Sequence, residues 1–349
     1  MGFCCHAMHI ALLYNEPTPS RYDALGEGIA VASVRVAVDA IKGALESRRH
    51  TVELMGLRPP MSSTVAALKG IKADVVFNLF EGFAGKPETE WQLALALETT
   101  GLAFTGAHAS TLALCLDKAR AKQTLAALGI PTPPFQLLRS GGSEQFSLEF
   151  PVIVKPLHED GSHGLNAHSV VYDFGPLVEQ VSWVESRYGS PVLVERFLPG
   201  REFNASILGG QVPRVLPPTE IVYQRDMDGP HILTYTAKWL PEDPTYQGTV
   251  PVCPAPVRQT VCARIKELAL ASHSAVGAPP YARVDFRTDE RGRLYVIEVN
   301  PNPDLSPNTG MSIQAEAAGM EYGDLIQTIL EMVNVEKHLD KHRAASYAT

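Results

Sequence analysis

The sequence predicts an α/β protein, with a parallel-sheet lobe at its start and a remainder built from short, tightly turned strands. Three observations carry this. Apolar strand-like runs alternate with helix-periodic segments up to about residue 115, a proline-stiffened linker follows the next helix, and from residue 151 short strands succeed one another across Gly and Pro turns. At 349 residues the chain is too long for one ordinary core and suits two or three packed lobes.

Residues 9–14 (HIALLY) form a continuous apolar run, as in a strand buried on both faces of a parallel sheet. Residues 30–45 carry apolar side chains at helical spacing, 51–57 and 74–79 are further strands, 91–100 is a helix closed by Gly101, and 103–106 is a short strand. Residues 117–128 (DKARAKQTLAAL) are a helix with an acid at its start and Gly129 at its stop. The following IPTPP must run extended, because each proline biases its predecessor away from the helix. PVIVKP, HSVVYD, PVLVERF and EFNASIL are strands, with a helix around 177–187. A long amphipathic helix over 257–276, a hairpin pairing 281–287 with 294–300, and a helix over 323–333 complete the chain. The expected organisation is a Rossmann-like parallel-sheet domain over 1–115, a central lobe over 116–198 and a C-terminal lobe over 199–349.

Hydrophobic residues at 45% and charged residues at 19% are normal for a soluble globular protein. A net charge of −8 argues against nucleic acid as the main partner, since phosphate neutralisation needs a basic excess. No apolar run is long enough to cross a bilayer, no basic and apolar leader is evident, and Gly2 is followed at position 6 by His rather than Ser or Thr. No membrane partner and a cytoplasmic location are therefore expected, with residues 1–7 as a start-site extension ahead of Met8. Five irregularly spaced cysteines fit reduced thiols. Cys4, Cys5, His6 and His9 look like metal ligands but have no second pair downstream, which favours an incidental cluster.

The most informative stretch is ARVDFR–TDERG–RLYVIEVNPN. Side chains alternate faces along a strand, so Arg283 and Asp285 share one face, with Val284 and Phe286 behind. On the partner strand Glu298 and Asn300 share a face, with Ile297 and Val299 behind. Two carboxylates and an amide oxygen make a hard-oxygen site suited to Mg²⁺, with Mn²⁺ as the alternative ion. Arg283 beside it would stabilise developing negative charge. The competing reading is a solvent-facing hairpin with cross-strand ion pairs. The apolar run LYVIEV and the stiff NPNPDLSPN loop weigh against that.

Lys155 ends a buried-looking strand, where an ammonium needs an anion partner. The next segment, with Gly161, Ser162, His163 and Gly164, can present backbone N–H groups to phosphates, although a plain glycine turn reads the same. Around PVLVERFLPGREF, Glu195 ends one strand and Glu202 begins the next; an adenosine-binding edge and a structural hairpin are equal readings.

The order of these pieces resembles the ATP-grasp superfamily and, within it, the D-alanine–D-alanine ligase family, from about residue 9 to about residue 333. The motifs are LDKARAKQTLAALGIPTP, FPVIVKP, VLVERFLPGREFNASILGG, YTAKWL, ARVDF and LYVIEVNPNP. The resemblance implies an ATP-grasp fold, α+β in its ATP-binding half, and an ATP- and Mg²⁺-dependent carboxylate–amine ligase working through an acyl phosphate. It implies that Lys118 and Lys155 contact phosphates and that the loop at Ser162 closes over them. Glu195, with the backbone of Phe197 and Leu198, would hold adenine, and Glu202 the ribose. Lys238 would reach the γ-phosphate; Asp285, Glu298 and Asn300 would ligate the metal; Arg283 would act on the transition state. Amino-acid substrates and a homodimer are further implications.

The substrate half departs from the family. The family's Gly-Gly-x-Ser-x-Glu turn is replaced by NEPTPSRYDALGEGIAVAS, where Glu16 or Glu27 stands in only by analogy. Glu81 replaces a histidine, and Glu81, Glu88 and Glu90 would suit a cationic group or form a solvated acidic loop. The Ser-Pro-Gly-Met segment becomes PNPDLSPNTGMS, leaving Ser306, Thr309 and Ser312 as alternatives for the second substrate's carboxylate. Three readings follow: a D-Ala–D-Ala-like ligase, a specialised peptide or natural-product ligase of the same fold, and a nucleotide-binding regulator without turnover. Retention of Arg283 and Lys238 speaks against the last.

Overall fold

The computed structural model describes residues 7–210, 212–224, 229–277 and 279–333. Cys4, Cys5 and His6 lie outside them, while His9 pairs with Glu53 (Nε2–Oε2 3.5 Å). The first sheet contains β1 (His9–Asn15), β2 (Thr51–Leu57), β3 (Val75–Leu79) and β4 (Ala103–Phe104), parallel throughout in the order β2-β1-β3-β4. From Ile10 onward β1 is buried, and so is all of β3, because both faces of the sheet are covered. Helix Val34–Ser47 and a final helix over 322–333 cover one face; helices Met61–Leu68 and Glu88–Thr100 cover the other. The single helix expected over 30–45 is two, Gly28–Ala32 and Val34–Ser47. They meet at Ser33, whose hydroxyl donates back to Ala30 O (2.6 Å).

Asp117 caps helix Lys118–Ala127, its carboxylate accepting from Arg120 N (3.0 Å), and Gly129 follows in the left-handed region (φ +72°). The second sheet is antiparallel, with β5 (Phe135–Leu138), β6 (Val152–Pro156), β7 (Val170–Val171) and β8 (Val192–Arg196) in the order β5-β8-β6-β7. Helix Phe174–Tyr188 covers it. The third sheet runs β12-β11-β9-β13-β14, from β9 (Glu202–Leu208), β11 (Thr219–Tyr223), β12 (Thr249–Val252), β13 (Tyr281–Thr288) and β14 (Leu294–Asn300), with β10 (Arg214–Val215) on β9. Helix Gln259–Ala275 packs on its back through Ile265, Leu268 and Ala269, against Val284, Phe286, Val296 and Val299. The β8–β9 turn touches the end of β13 so closely that a Cβ on Gly200 would stand 2.6 Å from Thr288 O.

After β14 the chain makes helix Gly310–Ala317 and then returns to the first sheet. Leu325, Ile326, Ile329 and Leu330 of the last helix share one core with Ile10, Leu12, Val38 and Ile41. No described helix is long and apolar enough to cross a membrane.

Candidate active site

Two clefts adjoin at the centre of the molecule. One lies between the second and third sheets and is lined by Lys155, Ser162, Glu195, Phe197, Leu198 and Glu202. The other opens towards the first sheet, lined by Asn15, Glu81, Glu90, Asn302 and Asp304. Asp160, Gly161, His163, Lys238, Arg283 and Glu298 line both.

The β13–β14 hairpin sets the shared wall. Asp285 lies opposite Glu298 and Arg283 opposite Asn300 in the register. A bulge corrects the expected phase at one residue. Because Asp285 pairs with Glu298 but Phe286 with Val296, Ile297 is the extra residue. Ile297 therefore lines the first cleft instead of backing the strand, while Val296 and Val299 reach the core. Each carboxylate has a cation beside it. Arg283 grips Asp285 with two hydrogen bonds (Nε–Oδ1 and Nη2–Oδ2, both 2.8 Å), and Lys118 Nζ stands 2.5 Å from Glu298 Oε1. Burial opposes ionisation of Glu298, but Lys118, Lys155 and Arg283 outweigh it and hold the carboxyl down at about 2. Asp285, Glu298 and Asn300 thus offer hard oxygens, the glutamate firmly ionised, and they fit Mg²⁺. Asn300 Oδ1 is steadied by Asn302 N (2.9 Å).

Glu195 is 2% exposed and clasped by two ammonium groups, Lys122 (Nζ–Oε2 2.7 Å) and Lys155. Burial raises its pKa, but the two lysines reverse the shift and the net displacement is downward. Lys122 also donates to Ile297 O (3.0 Å), joining the helix ahead of the linker to β14. The sequence reading missed Lys122; its place four residues after Lys118, on the same helix face, was the available signal. Phe197 N–H is already donated to Pro151 O (3.0 Å), so only Leu198 of the two expected adenine contacts keeps a free N–H among the described residues. Glu202 accepts from Tyr223 OH (2.7 Å) and pairs with Arg287 (3.2 Å), another residue the sequence did not single out.

Ser162 sits in the left-handed region (φ +65°) between Gly161 (φ +57°) and Gly164 (φ +74°), in a loop facing the first cleft. That loop is tied to the first lobe. Glu27 accepts from Gly164 N (3.1 Å) and contacts His163 Nδ1 (2.7 Å), while Arg21 and Tyr22 hold Glu159. Glu27, expected to face a substrate ammonium, is instead occupied by the loop and lies outside the second cleft. Ser306, Thr309 and Ser312 are also turned away from it. Thr309 Oγ1 donates to Ser306 O (2.8 Å), and Ser312 Oγ accepts from Thr309 N (3.0 Å) at the start of helix Gly310–Ala317. An unmet helix N-terminus takes these hydroxyls first. Ser312→Ala is accordingly expected to cost about 1 kcal/mol in denaturant unfolding and to leave substrate KM unchanged; a raised KM would restore the substrate role.

Asn302, from the same loop, donates to Glu90 Oε1 (2.7 Å) on the second cleft's wall. Glu88 does not line that cleft. The family model "D-ala D-ala ligase C-terminus" matches residues 124–331. The chain belongs to the D-alanine–D-alanine ligase family. A D-alanine–D-alanine ligase of Caulobacter sp. (strain K31) is 33% identical over 328 residues, 93% of this chain and 92% of that protein. The uncharacterized protein y4sG of Sinorhizobium fredii is 33% identical over 260 residues, 74% of each chain. The crystal structure of D-alanine–D-alanine ligase from Bacillus anthracis complexed with ATP covers 96% of this chain and all of its own, at TM-score 0.71 and 21% identity, which shows the ATP-grasp fold. The protein is an ATP- and Mg²⁺-dependent ligase that forms an amide bond.

The ligase's second cleft is unusually acidic. Glu81 is open to the cleft yet walled round by protein; desolvation first, then Asp304, Asp160 and Glu90, push its carboxyl up to about 8. Glu90 is likewise raised to about 8, by desolvation and by Asp160. Both sit above their ordinary 4.5, so they take up protons on folding. Their contribution is favourable at low pH and is lost as pH rises through about 8. Glu81→Gln is therefore expected to flatten the fall in Tm of the ligand-free enzyme between about pH 4.5 and 8. An unchanged slope would mean that Glu81 is not held in this state.

Proposed function

We propose that the ligase activates an amino-acid carboxylate with ATP where the two clefts meet, and joins it to an amine held in the second cleft. The supporting observation is the shared wall: Lys238, Arg283 and Glu298 border both spaces, so a γ-phosphate in one and a carboxylate in the other converge there. In this reading Lys118 and Lys155 hold phosphates, the Ser162 loop covers them, Glu195 and Leu198 border adenine and Glu202 borders ribose. Asp285, Glu298 and Asn300 would hold Mg²⁺, which neutralises phosphate charge when bound.

A carboxylate oxygen bonds to the γ-phosphorus as the bond to the β,γ-bridging oxygen breaks, releasing ADP. The amine nitrogen then attacks the acyl carbon, phosphate leaves, and the ammonium proton passes to solvent. Burial and Arg283 lower the pKa of Lys238, whereas Asp285 keeps Arg283 charged. Arg283 is thus the fixed positive charge at the junction.

The substrate half favours a pair other than two D-alanines, since Glu81 faces the cleft and Glu27 is engaged by the loop. A cytoplasmic location fits the free thiols Cys115, Cys253 and Cys262, and the homodimer implied by the resemblance belongs to the same proposal. The test is Mg²⁺-dependent ADP release with D- and L-amino acids, singly and in pairs, with products read by mass spectrometry. A D-Ala–D-Ala product would overturn the altered-substrate reading. ADP and an amide product from another pair would support it.

A further inference from the structure

Arg287 is a buried cation that no step of the ligase chemistry uses. It follows Asp285 by two residues on β13, so its side chain leaves the same strand face and lines the first cleft. In the register it lies directly opposite Glu202 of β9. Nη1 pairs with Glu202 Oε2 (3.2 Å), and Nη2 donates to His231 O (2.7 Å) and Gly200 O (3.3 Å). The guanidinium carbon stands 5.2 Å from the centre of the Phe197 ring. The group is thus fixed by four separate pieces of chain, yet its Nε is buried without an acceptor among the described residues.

A bracket of this kind is a poor source of stability, because apolar residues of similar volume often replace a buried ion pair without loss. What the pair supplies is orientation, and the other partner of Glu202 shows of which atom. Tyr223 OH donates to the same Oε2 (2.7 Å), and its ring stacks on His231 with centroids 5.4 Å apart. Burial first, then the Glu202 carboxylate, raise the pKa of Tyr223 well above its ordinary value, so the phenol remains a donor. Both donors therefore hold Oε2. Oε1 has no protein partner among the described residues and is not closed off by protein. A carboxylate anchored through one oxygen presents the other, on the cleft wall, to hydroxyl donors.

We propose that Arg287 is a positioning residue for the nucleotide: by anchoring Oε2 it aims Oε1 of Glu202 at the ribose hydroxyls and so sets a preference for ribonucleotides over deoxyribonucleotides. The inference rests on the placement of Glu202 beside the ribose and adds what holds that carboxylate in place. Fixing it before the ligand arrives spares the cost of ordering it on binding, and a missing hydroxyl then leaves a charged acceptor unmet. Arg287 itself need not touch the nucleotide.

The test is calorimetric titration of the full-length enzyme with MgADP and with the magnesium complexes of 2′-deoxy-ADP and 3′-deoxy-ADP. The parent enzyme should bind MgADP at least about tenfold more tightly than one of the deoxy analogues, the scale of a hydrogen bond to a charged group. Arg287→Met should weaken MgADP binding by a similar factor and bring the ratio close to one. Tyr223→Phe, which removes only the second anchor, should lower the ratio part of the way. A ratio unchanged in Arg287→Met, or in Arg287→Lys should the methionine variant not fold, overturns the proposal and leaves the nucleotide reading intact. Equal binding of all three nucleotides by the parent enzyme overturns it differently, by removing Glu202 from the ribose. Failure of the parent enzyme to bind any of them removes the ligase reading on which both stand.

Discussion

Arg283→Ala is expected to lower kcat by about 10²- to 10³-fold while MgATP still binds within a few-fold of the parent enzyme. The asymmetry follows from position. Arg283 stands where the two clefts meet, bonded to Asp285, so in the proposed arrangement its charge faces the place where phosphate and acyl oxygen would develop negative charge. ATP has further holds on Lys118, Lys155 and the Ser162 loop in the proposed arrangement, and these survive the substitution. Arg283→Lys should recover little, because an ammonium cannot reproduce the two-pronged grip on Asp285. Single-turnover assays with saturating ATP measure the effect. A loss of less than tenfold would remove Arg283 from the reacting centre.

Glu195→Ala should be the most damaging substitution for stability, at about 3–5 kcal/mol, because it leaves two ammonium groups enclosed without their carboxylate. Lys122 is 2% exposed and, among the described residues, has only Ile297 O and Thr132 Oγ1 as other acceptors. Urea unfolding should show the loss. A Lys122→Met partner substitution should make the double variant less unstable than the sum of the two singles, since the stranded charge goes with the lysine. Additive behaviour would mean that the two side chains act independently.

Much of the nucleotide half was legible because its chemistry lies in short, local patterns. Arg283, Asp285, Glu298 and Asn300 fall on one face of two adjacent strands, and alternation alone collects them. The Ile297 bulge was not legible: an extra residue in a strand leaves no mark in an apolar run. The substrate half was harder to read. Ser306, Thr309 and Ser312 are the residue types that bind carboxylates and equally the types that cap helices, and only the position of Gly310–Ala317 decides between those roles. Glu27 was expected to meet a substrate, but its partners, His163 and Gly164, lie more than a hundred residues away. Lys122 and Arg287 were missed for a related reason, since a buried cation is recognised by what surrounds it. The strands β10, β11 and β12 lie in a stretch with weak alternation, and they are held mainly by pairing outward from β9.

The return of the last helix to the first sheet divides responsibilities between parts of the chain that sequence order would separate. Glu81 and Glu90 belong to the first lobe. Asp304 is followed within thirty residues by the helix seated in that lobe's core, so all three acids ride on one body. The Asp160–Gly164 loop belongs to the second sheet. Displacing that loop would carry Asp160 away but leave Glu81, Glu90 and Asp304 together, so this part of the second cleft does not depend on the loop's position. The same arrangement constrains recombination between relatives. Exchanging residues 7–115 alone would mate one parent's glutamates with the other parent's Asp304 segment, so a chimaera that transfers specificity intact must carry 301–333 along with the first lobe.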